Sequence, residues 1–109
     1  MPDVHVVLST CPAEAAGSLA RQLVSERLAA CCNTVSGLES TYWWEGKITT
    51  DRESLLILKT PGDRVEALIS RLQALHPYDV PEILALPVAT GLDAYLRWVA
   101  NECAGPPSP

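Results

Sequence analysis

Hydrophobic and polar positions along the chain alternate between two periods, and the switches between them outline the elements. Val4-His5-Val6-Val7-Leu8 is a short apolar strand that ends at Ser9-Thr10. Cys11-Pro12, with Glu14, opens a helix, because proline fits a first turn and an acid suits its positive end. Apolar residues at Ala16, Leu19, Ala20, Leu23, Val24 and Leu28 then fall on one helical face, with Arg21, Gln22, Glu26 and Arg27 on the wet side. From Ala30 to Glu45 the pattern reads as one long second strand, with a bulge or bend at Gly37. Tyr42-Trp43-Trp44-Glu45-Gly46-Lys47 marks a tight hairpin, and Gly46 can take the positive φ that such a turn needs. β-Branched Thr41, Ile48, Thr49 and Thr50 support both arms, and Leu55-Leu56-Ile57-Leu58 closes the returning strand.

Thr60-Pro61-Gly62-Asp63 starts a second helix, with Thr60 as candidate N-cap and an apolar stripe at Val65, Leu68, Ile69 and Leu72. Pro77 stops it, and His76 to Glu82 forms a loop stiffened by Pro77 and Pro81. Ile83 to Val88 is a fourth strand, with Pro87 at its end or on an unpaired edge. A last helix runs from Leu92 to about Cys103, and residues 105–109 read as a disordered tail behind a single domain at 1–104.

The order β-α-β-β-α-β plus a helix is the α+β, ferredoxin-like split βαβ pattern. At roughly 3.3 Å per residue the second strand would reach about 50 Å, whereas a domain of this size has a radius of gyration of about 13 Å. The hairpin is therefore expected to protrude. The third and fourth strands are apolar at consecutive positions, so both faces of the sheet expect to be dry. Two helices cover one face and the short third helix hides little of the other, so a second copy of the chain is the simplest cover.

Composition narrows the function. Hydrophobic residues make up 48% of the 109 positions and charged ones 19%, which is a globular balance. The net charge of −5 argues against nucleic acid or an anionic membrane as partner. The start of the chain carries no basic export segment, and no apolar run approaches a membrane span, so a soluble cytoplasmic protein is expected. Cys11, Cys31, Cys32 and Cys103 show no CxxC spacing and are expected as free thiols. Cys31 and Cys32 are neighbours on a strand and point to opposite faces, so together they cannot hold one ion.

His76, beside Tyr78, Asp79 and Glu82, could serve a copper- or zinc-like ion, or simply sit at a helix C-terminus where the dipole favours it. Trp43 and Trp44 also diverge, one toward the core and the other, with Tyr42, toward a cleft at a subunit boundary. Interface packing accounts for such aromatics equally well, so Trp43 and Trp44 are interface candidates too. The cleft reading adds Glu45, Lys59 and Glu82 as polar groups and Tyr78 as hydroxyl donor, with Lys59 able to hold a small anion. No nucleophile–base pair, phosphate-cradling loop or metal-protease helix supports catalysis.

Leu28-Ala29-Ala30-Cys31, the hairpin Tyr42 to Lys47, Leu58-Lys59-Thr60, His76-Pro77-Tyr78-Asp79-Val80-Pro81-Glu82-Ile83 and Tyr95-Leu96-Arg97-Trp98 occur in this order. Together these stretches closely resemble the CutA family of divalent-cation tolerance proteins, over residues 4 to about 102. The resemblance implies a ferredoxin-like homotrimer of PII-like architecture and a link to copper and other divalent ions. A PII-like protein binding a small anionic ligand between subunits is the alternative. In some bacterial relatives, copper binding is attributed to a cysteine ending the first strand and to a histidine pair before the Pro-Tyr. Here Ser9 stands at the first position and Leu75-His76 at the second, so only His76 carries over, with Cys11 as the substitute thiol for Cu(II).

Overall fold

The computed structural model describes residues 1–106. Strand β1 spans Val4–Cys11, helix α1 Ala13–Ser25, β2 Cys31–Trp44 and β3 Lys47–Pro61. A 3-10 turn at Gly62–Arg64 leads into α2, Val65–Leu75, followed by β4, Ile83–Pro87, and α3, Asp93–Ala104. The four strands form one antiparallel sheet in the order β2-β3-β1-β4, the split βαβ topology.

The hairpin closes on the two-residue turn Glu45-Gly46, with Trp44 paired to Lys47. Both turn residues have positive φ, 49° and 76°, as a type I′ turn requires. The β2–β3 register breaks between Val35 and Leu38, and Gly37 takes φ 76° inside that bulge. With strands of 14 and 15 residues, the hairpin outruns the helices and stretches the molecule to 44 × 33 × 22 Å.

Two boundaries differ from the sequence reading. β1 runs on through Ser9, Thr10 and Cys11, because these pair with Leu56, Leu55 and Ser54 of β3. Thr60 does not cap α2; it remains in β3 opposite His5, and its buried hydroxyl donates to the carbonyl of Leu28 at 2.7 Å. That bond ties β3 to the end of α1, and the second helix starts later as a result.

Helix α1 ends in a Schellman arrangement: Arg27 N–H donates to the Val24 carbonyl and Leu28 N–H to the Leu23 carbonyl. Arg27 takes the left-handed conformation there, φ 62°, where glycine is usual. Its guanidinium donates to the Glu102 carboxylate and carbonyl and to the carbonyl of Pro106, all within 2.9 Å. The chain just after α3 is thus tied to the end of α1. The expectation of a disordered tail concerns, beyond Pro106, residues 107–109, which lie outside the described residues.

The main core fills the space between the sheet and α1 and α2. Val7, Cys11, Leu56 and Leu58 meet Ala16, Leu19 and Leu23 of α1 and Leu68 and Leu72 of α2. A smaller core, Val4 with Leu96 and Val99, sits under α3. On the face turned away from α1 and α2, Leu8 lies between Ile57 and Leu84, and Val6 beside Leu86. Helix α3 covers only one end of this face, leaving Leu84 54% and Leu86 48% exposed.

Ser9 points into the main core and is fully buried, with no hydrogen-bond partner for its hydroxyl among the described residues. An unsatisfied buried hydroxyl costs free energy, so Ser9→Ala should stabilise the fold by about 1 kcal/mol. Urea unfolding at constant m-value measures this, and a fall of similar size would mean that the hydroxyl is satisfied after all.

Candidate functional site

The loop from His76 to Glu82 and the root of the hairpin enclose a cleft of about 440 Å³. Its geometry begins at the end of α2. His76 adopts an extended backbone (φ −70°, ψ 139°), as a residue before proline prefers, and the helix stops there. The His76 ring is buried and used twice. Nδ1 accepts the backbone N–H of Tyr78 at 3.1 Å, so the proton sits on Nε2, which donates to the Thr10 carbonyl at 2.8 Å. The loop is thereby fixed to the end of β1, with the Tyr78 ring 4.8 Å from the imidazole.

This anchoring aims Tyr78 across the sheet, where its hydroxyl donates to Glu53 Oε2 at 2.7 Å. Burial first, and the Glu53 contact second, hold the Tyr78 phenol well above its ordinary range, so it stays a donor. A second phenol repeats the pattern at the surface: the Tyr42 hydroxyl donates to the Asp51 carboxylate, which raises the phenol in turn. Strand alternation puts Asp51 and Glu53 on the same face as Tyr42 and Trp44, because the turn fixes Ser40 opposite Asp51. That face continues into the bare apolar surface of Leu8, Ile57 and Leu84.

Four of the six residues expected in a cleft, Tyr42, Trp44, Tyr78 and Glu82, do line this one. Glu45 instead occupies the hairpin turn. Lys59 lies at the far end of β3, opposite Val6 and Cys31, where its ammonium contacts the Asn33 side chain and Cys31 Sγ. Two acids passed over in the sequence, Asp51 and Glu53, take their place, together with Asp79, which the sequence set beside His76 as part of a metal reading rather than in the cleft. Asp51 and Glu53 were findable as acids two apart on a strand that then turns apolar. The cleft lining therefore holds carboxylates and no cation, and these repel rather than collect an anion.

Trp43 does not pack in the core. It is 72% exposed beside Ile48 on the opposite side of the hairpin, because the arm extends past the layer of helices that would have covered it. Trp44 is also largely exposed, on the cleft side.

The thiols are dispersed. Cys11 is fully buried in the main core, where burial, Glu53 and Glu14 all push its thiol up. Burial pushes Cys32 to about 11, and Cys103 is also raised by burial, so these thiols stay protonated near neutral pH. All four cysteines are free. No three His, Cys, Asp or Glu side chains converge to hold a metal ion among the described residues. No helix among them is long and apolar enough to cross a membrane.

Comparison with known proteins bears on this architecture directly. A family model described as CutA1 divalent ion tolerance protein matches residues 5–102. The divalent-cation tolerance protein CutA of Thermus thermophilus is 52% identical over 96 residues, 87% of this chain and 93% of that protein. The chloroplastic protein CutA 1 of Oryza sativa is 48% identical over 101 residues, 93% of this chain, but this chain spans only 57% of that protein's length. For the chloroplastic CutA of Arabidopsis thaliana the share is 56%. Among solved structures, CutA from Xylella fastidiosa superposes with a TM-score of 0.90 at 48% identity, covering 93% of this chain and 98% of that one. The fold, the hairpin and nearly the whole length of the sequence agree: the chain belongs to the CutA family of divalent-ion tolerance proteins.

Proposed function

We propose that this CutA family member serves divalent-cation tolerance as a cytoplasmic homotrimer of PII-like build. One observation carries the assembly: the sheet has a second apolar face, with Leu84 and Leu86 about half exposed, and too little helix to roof it. The protruding hairpin supports the same reading. It adds exposed Trp43, Trp44 and Ile48, and β2 is an edge strand with free backbone groups. Four free thiols suit a reducing compartment.

In this reading His76 is a strut rather than a copper ligand. Coordination by either nitrogen would require breaking a hydrogen bond to Thr10 or Tyr78, and the Cys11 thiol faces the apolar core. An anionic ligand in the cleft is disfavoured by its carboxylates and by the distant placement of Lys59.

Two measurements test this reading. Light scattering at micromolar protein should return roughly three times the 11.8 kDa chain mass; a stable species of monomer mass overturns the assembly. His76→Ala should lower unfolding stability by about 2 kcal/mol, through two lost hydrogen bonds, while the heat of Cu(II) binding stays that of the wild type. A loss of copper heat without loss of stability would make His76 a ligand.

A further inference from the structure

Cysteine and lysine are both scarce in this chain, four of one and two of the other. The β2–β3 register sets one of each face to face, because Cys31 is the partner of Lys59. Directly opposed residues of an antiparallel pair point to the same side of the sheet, so these two side chains share one patch. Lys59 Nζ lies 3.6 Å from Cys31 Sγ. The pairing is closed at its end by a backbone bond, from Ala30 N–H to the Lys59 carbonyl at 2.9 Å. Asn33, two residues on and on the same face, holds the ammonium through its side-chain oxygen. The Tyr95 hydroxyl reaches the same sulfur from α3 at 3.9 Å. Burial first, and the Cys31 contact second, hold the Tyr95 phenol above its ordinary range, so it remains a donor.

The other residues of each kind are placed differently. Cys32 stands opposite Leu58, Cys11 opposite Ser54, and Lys47 opposite Trp44 in the hairpin. Burial keeps the Cys32 thiol protonated near neutral pH, whereas Cys31 is only half buried and borders a surface groove beside Arg21. Reactive thiols occupy partly exposed, positively charged surroundings of this kind. A sulfenic acid formed at Cys31 would have an amine nitrogen already in contact with its sulfur. Sulfenic acids condense with a neighbouring nitrogen to give sulfenamides, and thiols reverse the change.

We propose that Cys31 and Lys59 form a peroxide-driven, reversible sulfenamide bridge between β2 and β3. The Cys31 thiolate attacks one oxygen of the peroxide, the O–O bond breaks, and the departing hydroxide takes up a proton and leaves as water. The Lys59 amine, its extra proton passed to solvent, then attacks the sulfenic sulfur. An S–N bond forms, the S–O bond breaks, and the hydroxyl leaves as water with a proton from the nitrogen. Sulfur gives up two electrons and the peroxide accepts them. Two equivalents of an ordinary thiol undo the bridge, releasing the amine first and the Cys31 thiol second. The pair sits beside α3, at the opposite end of β2 from the hairpin, so the bridge needs one chain alone and is independent of the assembly.

Peptide mass mapping of the full-length protein after treatment with hydrogen peroxide tests the proposal. The tryptic peptide that starts at Leu28 should be joined to the one that starts at Glu53, with Lys59 left uncut and the combined mass short of two hydrogens. Dithiothreitol should separate the two. Lys59→Arg keeps the charge without the primary amine, and should abolish the joined peptide while Cys31 gains oxygen instead. Cys31→Ser should abolish both products, and Cys32→Ser should leave the bridge intact. If a variant fails to fold, the wild-type map decides the matter by itself. Cys31 carrying oxygen beside an unmodified Lys59 overturns the proposal. So does a Cys31 that peroxide leaves untouched, or a joined peptide that persists in Lys59→Arg.

Discussion

Two helices can roof one face of a four-stranded sheet, and this sheet is apolar on both. The main core satisfies one face completely, with Leu56 and Leu58 fully buried against α1 and α2. On the other face Leu8, Ile57, Leu84 and Leu86 form a continuous surface that α3 covers only at the Val4 end. Most other features of the molecule follow from that imbalance. It explains why β3 is hydrophobic at consecutive positions rather than alternating, and why the long hairpin bears aromatic residues on both sides. A soluble protein does not ordinarily leave such a surface wet.

The hairpin adds reach to that constraint. Its type I′ turn and the bulge at Gly37 fix the β2–β3 register, and the register decides which side chains share a face. Sliding β2 by one residue against β3 would send Trp44 and Tyr42 to the helix side, away from Asp51 and Glu53, and scatter the cleft. The left-handed glycines are thus connected to function through geometry: they align two acids and two aromatics that lie up to eleven positions apart in sequence.

The loop His76–Glu82 completes the site from the other side. His76 carries the most recognisable chemistry in the chain, and the fold uses it as a joint. One ring nitrogen holds the end of β1 and the other holds the loop's own backbone, so Tyr78 is aimed at Glu53. Pro77 and Pro81 limit the alternatives this loop can sample, which lowers the entropy cost of keeping the phenol in place. The outcome is a cleft whose hydrogen-bond donors are neutral and whose acceptors are charged.

The element order, the protruding hairpin with its turn at Gly46, the bulge at Gly37 and the surplus of apolar sheet were all legible in the sequence. They depend on local periodicity and on residues with restricted backbones, and both are written residue by residue. The tertiary structure decided what depends on register and distance. Lys59 and Glu82 read alike as polar groups near aromatics, yet pairing sends Lys59 to Val6 at the opposite end of the sheet. Glu53 drew no attention in the sequence and gains its place only where the Tyr78 hydroxyl closes on it, and Thr60 read as a helix cap until β1 claimed it as a strand partner. Periodicity states which side of its own element a residue occupies. Only the packed chain states what stands across from it, and the chemistry of the cleft belongs to that second kind of information.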